Sequence, residues 1–400
     1  MTGVLDGVRV LDYGRFIAGP WCAAMLADLG AEVIRVEKID GGEDREIYPI
    51  SEDGSGALYL NCNRGKLGIT LNPLKPEGRE IQEKLIATAD VVIANMPPRA
   101  LKQLGLDYET LKSIKPDIIL TTATAFGNTG PYAEKVGLDA VAQAMCGNMY
   151  MTGDGEHPMK SYSPWVDYAT AAHAMAGTLA ALMHRNATGE GQEVQTALLA
   201  TAITVANSLL VEQHALGTDR VASGNRSPMA APSDDFKTKD GHIFATSAGQ
   251  PMFERWVDLM REDGGDEDHW LTDPRFKDDI SRGENSTEVS ARMQSWCTKR
   301  TTAEALEKLA EARIPAAEIF SPQQTLDNEH VRESGMLTEP IEYPGAPKAM
   351  PLVAPPVKLT ATPGEVRHRA PQLGEHTDEV LKTLGYGDDD ITALRQERVV

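Results

Sequence analysis

The first forty residues alternate between short apolar strands and a helix. Residues 8–13 (VRVLDY) and 32–37 (EVIRVE) are typical of buried strands, and residues 21–29 between them have a helical pattern closed by Gly30. The same alternation continues with strands predicted at 66–71, 90–95 and 118–123 and a helix at 77–87. Strands that alternate with helices indicate a mostly parallel sheet covered on both faces, so the predicted fold class is α/β.

The turn after the first strand, residues 14–20 (GRFIAGP), places Gly19 and Pro20 at a helix start, where free N–H groups can meet an anion. It lacks the G-x-G-x-x-G spacing, which argues against a dinucleotide cofactor. Ligands of such sheets bind beyond the carboxyl ends of the strands. Lys38, Asn95 and residues 97–99 are predicted to lie at that edge.

Four basic residues, Lys38, Arg64, Lys66 and Arg99, fall in or beside the loops of this edge. Each alone is interpreted as surface charge, but together they favour a site for an anionic cofactor, because the chain has a formal net charge of −20. The same acidic balance argues against a nucleic acid or an anionic membrane as partner, since both require a basic face.

A single carboxylate, Asp167, stands near the start of a stretch rich in Ala, Leu and Met, residues 163–185 (SPWVDYATAAHAMAGTLAALMHR). The pattern predicts one buried helix, and Asp167 is expected to be ionised near neutral pH by the helix start. Asp167 is then either a helix cap or a carboxylate nucleophile. Asp139 likewise stands at the start of a predicted helix, because it precedes the small-residue stretch AVAQAMCG. Asp139 and Asp167 are therefore either independent helix caps or two residues that line one cleft.

Other chemistries lack their motifs. We find no G-x-S-x-G elbow, no H-E-x-x-H pair and no Walker A lysine, so serine hydrolysis, a metal site and nucleotide hydrolysis are not predicted. The cysteines are far apart and are expected to be reduced and buried; they are Cys22, Cys62, Cys146 and Cys297. Without a run of about 18 apolar residues or a basic leader, a cytoplasmic protein without a membrane span is expected.

The composition changes along the chain and suggests five segments. Residues 1–220 are predicted to form most of a large domain, and 371–400 its C-terminal part. The others are a linker (221–235), a small α+β domain (236–330) with a hairpin at its start and a short strand from Ile319, and an extended proline-rich return (331–370). Within the linker, residues 224–231 are a candidate mobile loop.

Several stretches in a fixed order carry a resemblance to a known family. They are LDGVRVLDYGRFIAGP, LGAEVIRVEK, NCNRGK, ADVVIANMPPRALKQLGL, GEGQEV and LGEHTDEVLKTLG. Together they resemble the class III CoA-transferase (CaiB/BaiF) family, from about Leu5 to Val400. The resemblance implies a Rossmann-like large domain, a smaller inserted domain and an interlocked homodimer.

The resemblance also implies roles for individual residues. Asp167 matches the aspartate that attacks the acyl-CoA thioester, and Asp139 matches an acidic residue near that thioester. Ile17 stands where formyl-CoA transferase has a glutamine and is also predicted to be a CoA-binding residue. The positions that match CoA contacts are Lys38, Leu71, Asn95, Met96 and Leu104, to which the charge argument adds Arg99.

The implied function is transfer of CoA from an acyl-CoA donor to a small carboxylic acid through an aspartyl mixed anhydride and an aspartyl-CoA thioester. No permanently bound cofactor is expected, because the CoA thioester is itself a substrate; succinyl-CoA is one candidate donor. An α-methylacyl-CoA racemase or epimerase is the alternative enzyme, but Leu138 stands at its histidine position. A non-catalytic acyl-CoA binding protein is the third interpretation.

Overall fold

The computed structural model describes residues 3–264 and 267–400, so Met1, Thr2, Gly265 and Asp266, which the predicted domains include, lie outside the described residues. The chain folds into two compact units. The first combines a stretch ending at Cys146 with Ser161–Val211 and Glu329–Val400, and the second combines Gly147–Lys160 with Glu212–Asn328. The five-segment division of the sequence stays a prediction.

A six-stranded parallel sheet forms the centre of the first unit and confirms the predicted α/β class. Its strands are β1 (Arg9–Asp12), β2 (Glu32–Glu37), β3 (Lys66–Thr70), β4 (Val91–Ala94), β5 (Ile119–Thr124) and β6 (Glu193–Ala197). Their order in the sheet is β3-β2-β1-β4-β5-β6. The order reverses between β1 and β4, which is where ligands bind in doubly wound sheets.

Helices follow most of these strands. Up to residue 216 they are α1 (Ala18–Asp28), α2 (Ala57–Cys62), α3 (Pro76–Thr88), α4 (Pro98–Leu104), α5 (Tyr108–Ile114), α6 (Asp139–Met145), α7 (Asn148–Met151), α8 (Trp165–Thr188), α9 (Leu198–Val205) and α10 (Asn207–Leu216). A short 3-10 helix spans Glu43–Glu46. In the described part of the chain, none of the helices is both long enough and apolar enough to span a bilayer.

The two faces of the sheet are covered by different helices because successive strand residues point to opposite sides. On β1, Leu11 belongs to a core shared with α3 and the C-terminal helices, whereas Val10 belongs to a core shared with α1 and α8. The small residues of α8 allow close packing on the sheet. A Cβ atom at Gly177 would lie 2.6 Å from Cγ1 of Val194, so glycine is needed at this contact.

The predicted helix over residues 163–185 is confirmed, but it is not buried all round. One face of α8, including Ala171, Ala174 and Ala181, is buried, whereas Met183 on the other face is 74% exposed. The helix ends at Thr188, and the C-cap residue that follows is Gly189, whose φ of 80° suits glycine.

The second unit contains a three-stranded antiparallel sheet and its own aromatic core. The strands are β7 (Ser233–Lys237), β8 (His242–Thr246) and β9 (Ala316–Glu318). The α-helices are α11 (Gln250–Met260), α12 (His269–Thr272), α13 (Asp279–Glu284), α14 (Ser286–Cys297), α15 (Thr302–Glu311) and α16 (Pro322–Asp327). Two 3-10 helices span Arg261–Asp263 and Pro274–Phe276. The predicted hairpin is confirmed. The strand expected to start at Ile319 instead ends at Glu318, because the side chain of Ser321 caps α16.

The last stretch returns to the first unit. It begins with α17 (Glu329–Glu333) and then follows an irregular path marked by bridges between Leu337 and Val353 and between Ile341 and Met350. Two helices complete it, α18 (Thr377–Thr383) and α19 (Asp388–Gln396). The second of these was not predicted from the sequence. All four cysteines are free and buried, as expected.

Candidate active site

The loop between β1 and α1 is held in an unusual conformation at the carboxyl end of β1. Phe16 has a φ of 59°, a left-handed conformation that costs a non-glycine residue about 1 kcal/mol or more. The side chain of Asn95, which follows β4, fixes the loop from outside. Its Oδ1 accepts a hydrogen bond from the N–H of Arg15, and its Nδ2 donates to the carbonyl of Arg15, both at 2.7 Å.

A cavity of about 400 Å³ opens beside this loop. Four of the seven predicted CoA-binding residues line it, namely Lys38, Leu71, Met96 and Leu104. Lys38 directly follows β2, Leu71 directly follows β3, and Met96 lies two residues beyond β4. The cavity therefore lies at the carboxyl ends of these strands. This is the expected place for a ligand in a doubly wound sheet.

The other three predicted CoA-binding residues have different surroundings. Asn95 braces the β1–α1 loop, and Ile17 is buried at the start of α1. Arg99 is exposed on α4 and lines a separate open depression together with Glu134. Whether these residues contact CoA stays a prediction.

The interpretation of Arg64 and Lys66 as ligand-facing cations was wrong. Both side chains are fully buried: Arg64 Nη2 pairs with Asp28 at 2.6 Å, and Lys66 Nζ pairs with Asp12 at 2.7 Å. A buried charge needs such a partner because desolvation otherwise costs several kcal/mol. These lysine and arginine side chains therefore stabilise the first unit beneath the sheet edge.

The two predicted catalytic aspartates meet at the start of α8. Asp139, the first residue of α6, accepts hydrogen bonds through Oδ2 from the N–H groups of Val166, at 2.8 Å, and Asp167, at 3.2 Å. Asp139 thus satisfies two of the free N–H groups of α8. The capping interpretation of Asp167 itself was wrong, because no side chain of α8 caps its own N-terminus and the cap comes from another helix.

Gln143 completes this arrangement and was missed in the sequence. It lies one turn after Asp139 on α6, donates through Nε2 to Oδ1 of Asp139 and accepts at 3.0 Å from the N–H of Ser161. The i, i+4 spacing of a carboxylate and an amide was the available signal. Gln143 and Asp139 are both buried, so this network is shielded from solvent.

The carboxylate of Asp167 is half-buried, and no described residue offers it a hydrogen bond. Burial and the negative charge of Asp139 raise the pKa of Asp167 to about 7. The helix start was expected to leave this group ionised near neutral pH, but desolvation and a like charge outweigh the helix dipole. Near pH 7 the group is therefore only partly ionised, and its ionised form is a carboxylate of unusual basicity, suited to nucleophilic attack.

Aromatic and small side chains surround the start of α8. The ring of Trp21 on α1 meets that of Tyr168 edge to face at 5.3 Å between centroids, and the guanidinium of Arg64 stacks over Trp21 at 4.3 Å. Ala18 at the start of α1 shares a hydrophobic cluster with Val166. The β1–α1 loop therefore connects the cavity, through Arg15, with the surroundings of Asp167, through Ala18.

The first unit thus contains two features: the Asp167 carboxylate, which has no hydrogen-bond partner among the described residues, and the cavity beside the β1–α1 loop, which is lined by other residues. In residues 3–264 and 267–400, no three His, Cys, Asp or Glu side chains are grouped as metal ligands. Leu138, which precedes Asp139, is 60% exposed and has no titratable group. The arrangement suits covalent chemistry by a carboxylate.

Comparison with known proteins gives matches along nearly the whole chain. The sequence model of CoA-transferase family III matches residues 5–377. The chain is 33% identical to the succinyl-CoA–L-malate CoA-transferase beta subunit of Chloroflexus aurantiacus, covering 99% of this chain and 98% of that protein. It is also 33% identical to the succinyl-CoA:mesaconate CoA-transferase of Haloarcula marismortui, covering 96% and 97%.

A solved structure has the same fold. The crystal structure of a CaiB/BaiF family protein from Brucella suis is 31% identical and superposes with a TM-score of 0.84. The match covers 96% of this chain and 100% of that one.

Proposed function

Because the chain belongs to CoA-transferase family III, we propose that it moves CoA from an acyl-CoA donor to a small carboxylic acid, with Asp167 as the nucleophile. One observation carries the assignment of the residue. The Asp167 carboxylate has no hydrogen-bond partner among the described residues, yet the N–H of the same residue is fixed by Asp139. The backbone is thus held in place while both carboxylate oxygens stay available to a ligand.

The proposed reaction needs no proton transfer. A carboxylate oxygen of Asp167 attacks the thioester carbonyl, which gives a mixed anhydride and releases CoA thiolate. The thiolate attacks the aspartyl carbonyl, the donor acid departs, and an aspartyl-CoA thioester remains. The acceptor acid attacks this thioester, and the released thiolate then takes the acceptor acyl group, which restores the Asp167 carboxylate.

Asp139 has a part in this mechanism that its hydrogen bonds indicate. Free N–H groups at a helix start can stabilise oxyanions beside a nucleophile. Two of them, on Val166 and Asp167, already donate to Asp139. We infer that Asp139 instead positions the first turn of α8 and makes the Asp167 carboxylate more basic.

For the substrates, we propose succinyl-CoA as donor and a small dicarboxylic acid as acceptor. The support is that both relatives described above are named for succinyl-CoA together with malate or mesaconate. The racemase alternative is not favoured, because Leu138 cannot carry a proton.

We also propose a homodimer and an inserted small domain, as the resemblance implies. Exposed apolar side chains support a covered surface in the first unit: Leu138 directly before α6, Val141 and Met145 on α6, and Met183 on α8. For the small domain, the support is that the second unit has a sheet and a core of its own. Light scattering after size exclusion tests the dimer, whose expected mass is twice that of the chain.

Isotope transfer tests the proposed nucleophile. In the proposed sequence, one oxygen of the acceptor carboxylate ends in the side chain of Asp167. After a single turnover of succinyl-CoA with an acceptor labelled with heavy oxygen, we expect one labelled oxygen in the peptide that contains Asp167, measured by mass spectrometry; repeated turnover should add the second. The Asp167→Asn variant, which keeps size and shape, should lose transfer and labelling while it remains folded.

Asp154→Asn is the matched control, because Asp154 is an exposed carboxylate of the second unit. It should retain both transfer and labelling. Label in another residue, or full transfer by Asp167→Asn, would show that Asp167 is not the nucleophile. CoA binding without turnover by the native protein would instead support the acyl-CoA binding protein.

A further inference from the structure

The cavity beside the β1–α1 loop is lined by four cationic side chains, Arg15, Lys38, Lys75 and Arg398. Three of them have charged or polar partners close by. Lys38 pairs with Glu43, Lys75 donates to the carbonyl of Glu397, and Arg398 donates to Asp40 at 2.8 Å. Lys38 and Arg398 are therefore at least partly neutralised by carboxylates of the protein, and Lys75 has a carbonyl as hydrogen-bond acceptor.

Arg15 is different. Its guanidinium makes no hydrogen bond to any described residue, and its buried Nη1 is one of the unpaired polar atoms of the structure. The nearest carboxylate oxygen, Oδ1 of Asp44, is 3.9 Å away. Asp44 is already paired through Oδ2 with Arg35 at 2.8 Å. Arg15 therefore has charge and donors to offer to a ligand.

The neighbouring residues fix the backbone of Arg15 and leave space for its side chain. Asn95 clamps the N–H and the carbonyl of Arg15, and the left-handed Phe16 follows it. On the other side, a Cβ atom at Gly42 would lie 2.2 Å from both Nη1 of Arg15 and Oδ1 of Asp44, so glycine leaves the space that these two side chains occupy. Strain that the structure maintains at a ligand edge is typical of functional loops.

We propose that Arg15 binds an oxyanion of a substrate in this cavity, either a phosphate of CoA or the free carboxylate of a dicarboxylic acid. Both groups suit the planar donor fork of arginine. The position of Arg15 fits either source, because it lines the cavity of the predicted CoA contacts and lies three residues before Ala18, which packs with Val166. The proposal rests on the proposed function for the identity of the anion.

Binding measurements separate the two sources. For Arg15→Gln, we expect a loss of about 10-fold to 100-fold in affinity for the oxyanion ligand, as for a charge-assisted hydrogen bond. Weaker binding of CoA with unchanged binding of pantetheine, which lacks the nucleotide phosphates, identifies the phosphate. A raised KM for succinate with an unchanged KM for butyrate identifies the carboxylate.

Two further variants test a merely structural role. Gly42→Ala keeps the charge but displaces the guanidinium, and it should weaken the same ligand as Arg15→Gln does. Arg9→Gln removes an equal charge from the other end of β1, where Arg9 pairs with Glu32, and should change affinity by less than about threefold. Arg15→Gln should unfold at nearly the native temperature, because its side chain makes no hydrogen bond.

The test of Arg15 can fail or succeed independently of the test of Asp167 as the nucleophile. Unchanged binding of CoA and unchanged KM for succinate in Arg15→Gln would overturn the role of Arg15, even where Asp167→Asn abolishes transfer. Conversely, weakened binding in Arg15→Gln with full transfer by Asp167→Asn would keep the oxyanion site and reject the nucleophile.

Discussion

The Oδ2 atom of Asp139 accepts a hydrogen bond from the backbone N–H of Asp167 at 3.2 Å. Two effects on Asp167 follow from this one contact. The hydrogen bond fixes the first turn of α8, and the nearby negative charge disfavours ionisation of the Asp167 carboxylate. Asp139 thus affects both the position of Asp167 and the basicity of its carboxylate, although the two residues are 28 positions apart in the sequence.

The first prediction concerns pH. Because only the ionised carboxylate attacks, transfer by the native protein should increase with pH around the Asp167 pKa of about 7. In Asp139→Asn the like charge is removed, so the midpoint should move to lower pH. Initial rates at low substrate between about pH 5 and 9 measure both profiles, with circular dichroism to check folding. A rate of the native protein that is already at its plateau at about pH 5 would contradict the expected basicity.

The second prediction concerns stability. The pKa of Asp167 is higher in the folded state than in the unfolded chain, so the folded protein loses stability as pH rises from about 4 through 7. Asp167→Asn removes this penalty. We expect it to stabilise the protein at pH 8 by about 1 kcal/mol or more, and by much less at pH 5, since the half-exposed group is partly screened.

Thermal unfolding of the two proteins at both pH values measures this difference. Asp154→Asn, at an exposed site, should show no such gain at pH 8. A loss of stability in Asp167→Asn at pH 8 would mean that the carboxylate has a stabilising partner in solution.

The third prediction concerns Gln143. Gln143→Ala removes the hydrogen bond from the N–H of Ser161 and the hydrogen bond to Oδ1 of Asp139, which should cost about 1–3 kcal/mol of unfolding free energy. Transfer should also fall, because the support of Asp139 is lost. Gln143→Glu should cost more, since it places a second carboxylate against Asp139. Chemical denaturation measures the cost, and the exposed Gln195→Ala should change stability by less than about 0.5 kcal/mol.

The sequence was informative where a local pattern decides the structure. The strands at Glu32–Glu37 and Lys66–Thr70 and the helix over Asp167 follow from runs of apolar residues and their turn signals. Four predicted CoA contacts share one cavity because the carboxyl ends of parallel strands meet at one edge. These features depend on neighbours in the chain or on a general rule of the fold.

The sequence did not predict features that depend on hydrogen-bond or ion-pair partners from distant segments of the chain. Local sequence does not show that Asp139 caps α8 or that Asp28 neutralises Arg64, so the pKa of Asp167 and the burial of Arg64 were misjudged. That the Arg15 guanidinium is available to a ligand likewise depends on a contact between other segments. It depends on Asp44 being paired with Arg35, which only the folded chain shows.

The last prediction concerns the buried pair of Asp12 and Lys66 beneath the β1–α1 loop. Lys66 Nζ donates to Asp12 at 2.7 Å and to the carbonyl of Pro20 at 2.8 Å, and Asp12 accepts at 2.7 Å from the N–H of Gly14. The pair therefore holds both ends of the loop that carries Arg15. Burial lowers the pKa of Lys66, but the carboxylate of Asp12 opposes this effect.

We expect Lys66→Met to cost about 3–5 kcal/mol, because it leaves the carboxylate of Asp12 buried with only the more distant Arg35 as counter-charge. Asp12→Asn should cost a similar amount, whereas the double variant should cost less than the sum of the two, since neither charge is then left alone. Urea denaturation measures the three values, and Arg9→Gln at an exposed pair should cost less than about 1 kcal/mol. The folded fraction of Lys66→Met should also bind CoA more weakly, because the loop loses its anchor at Pro20. Additive costs and unchanged CoA affinity would show that the pair neither couples nor holds the loop.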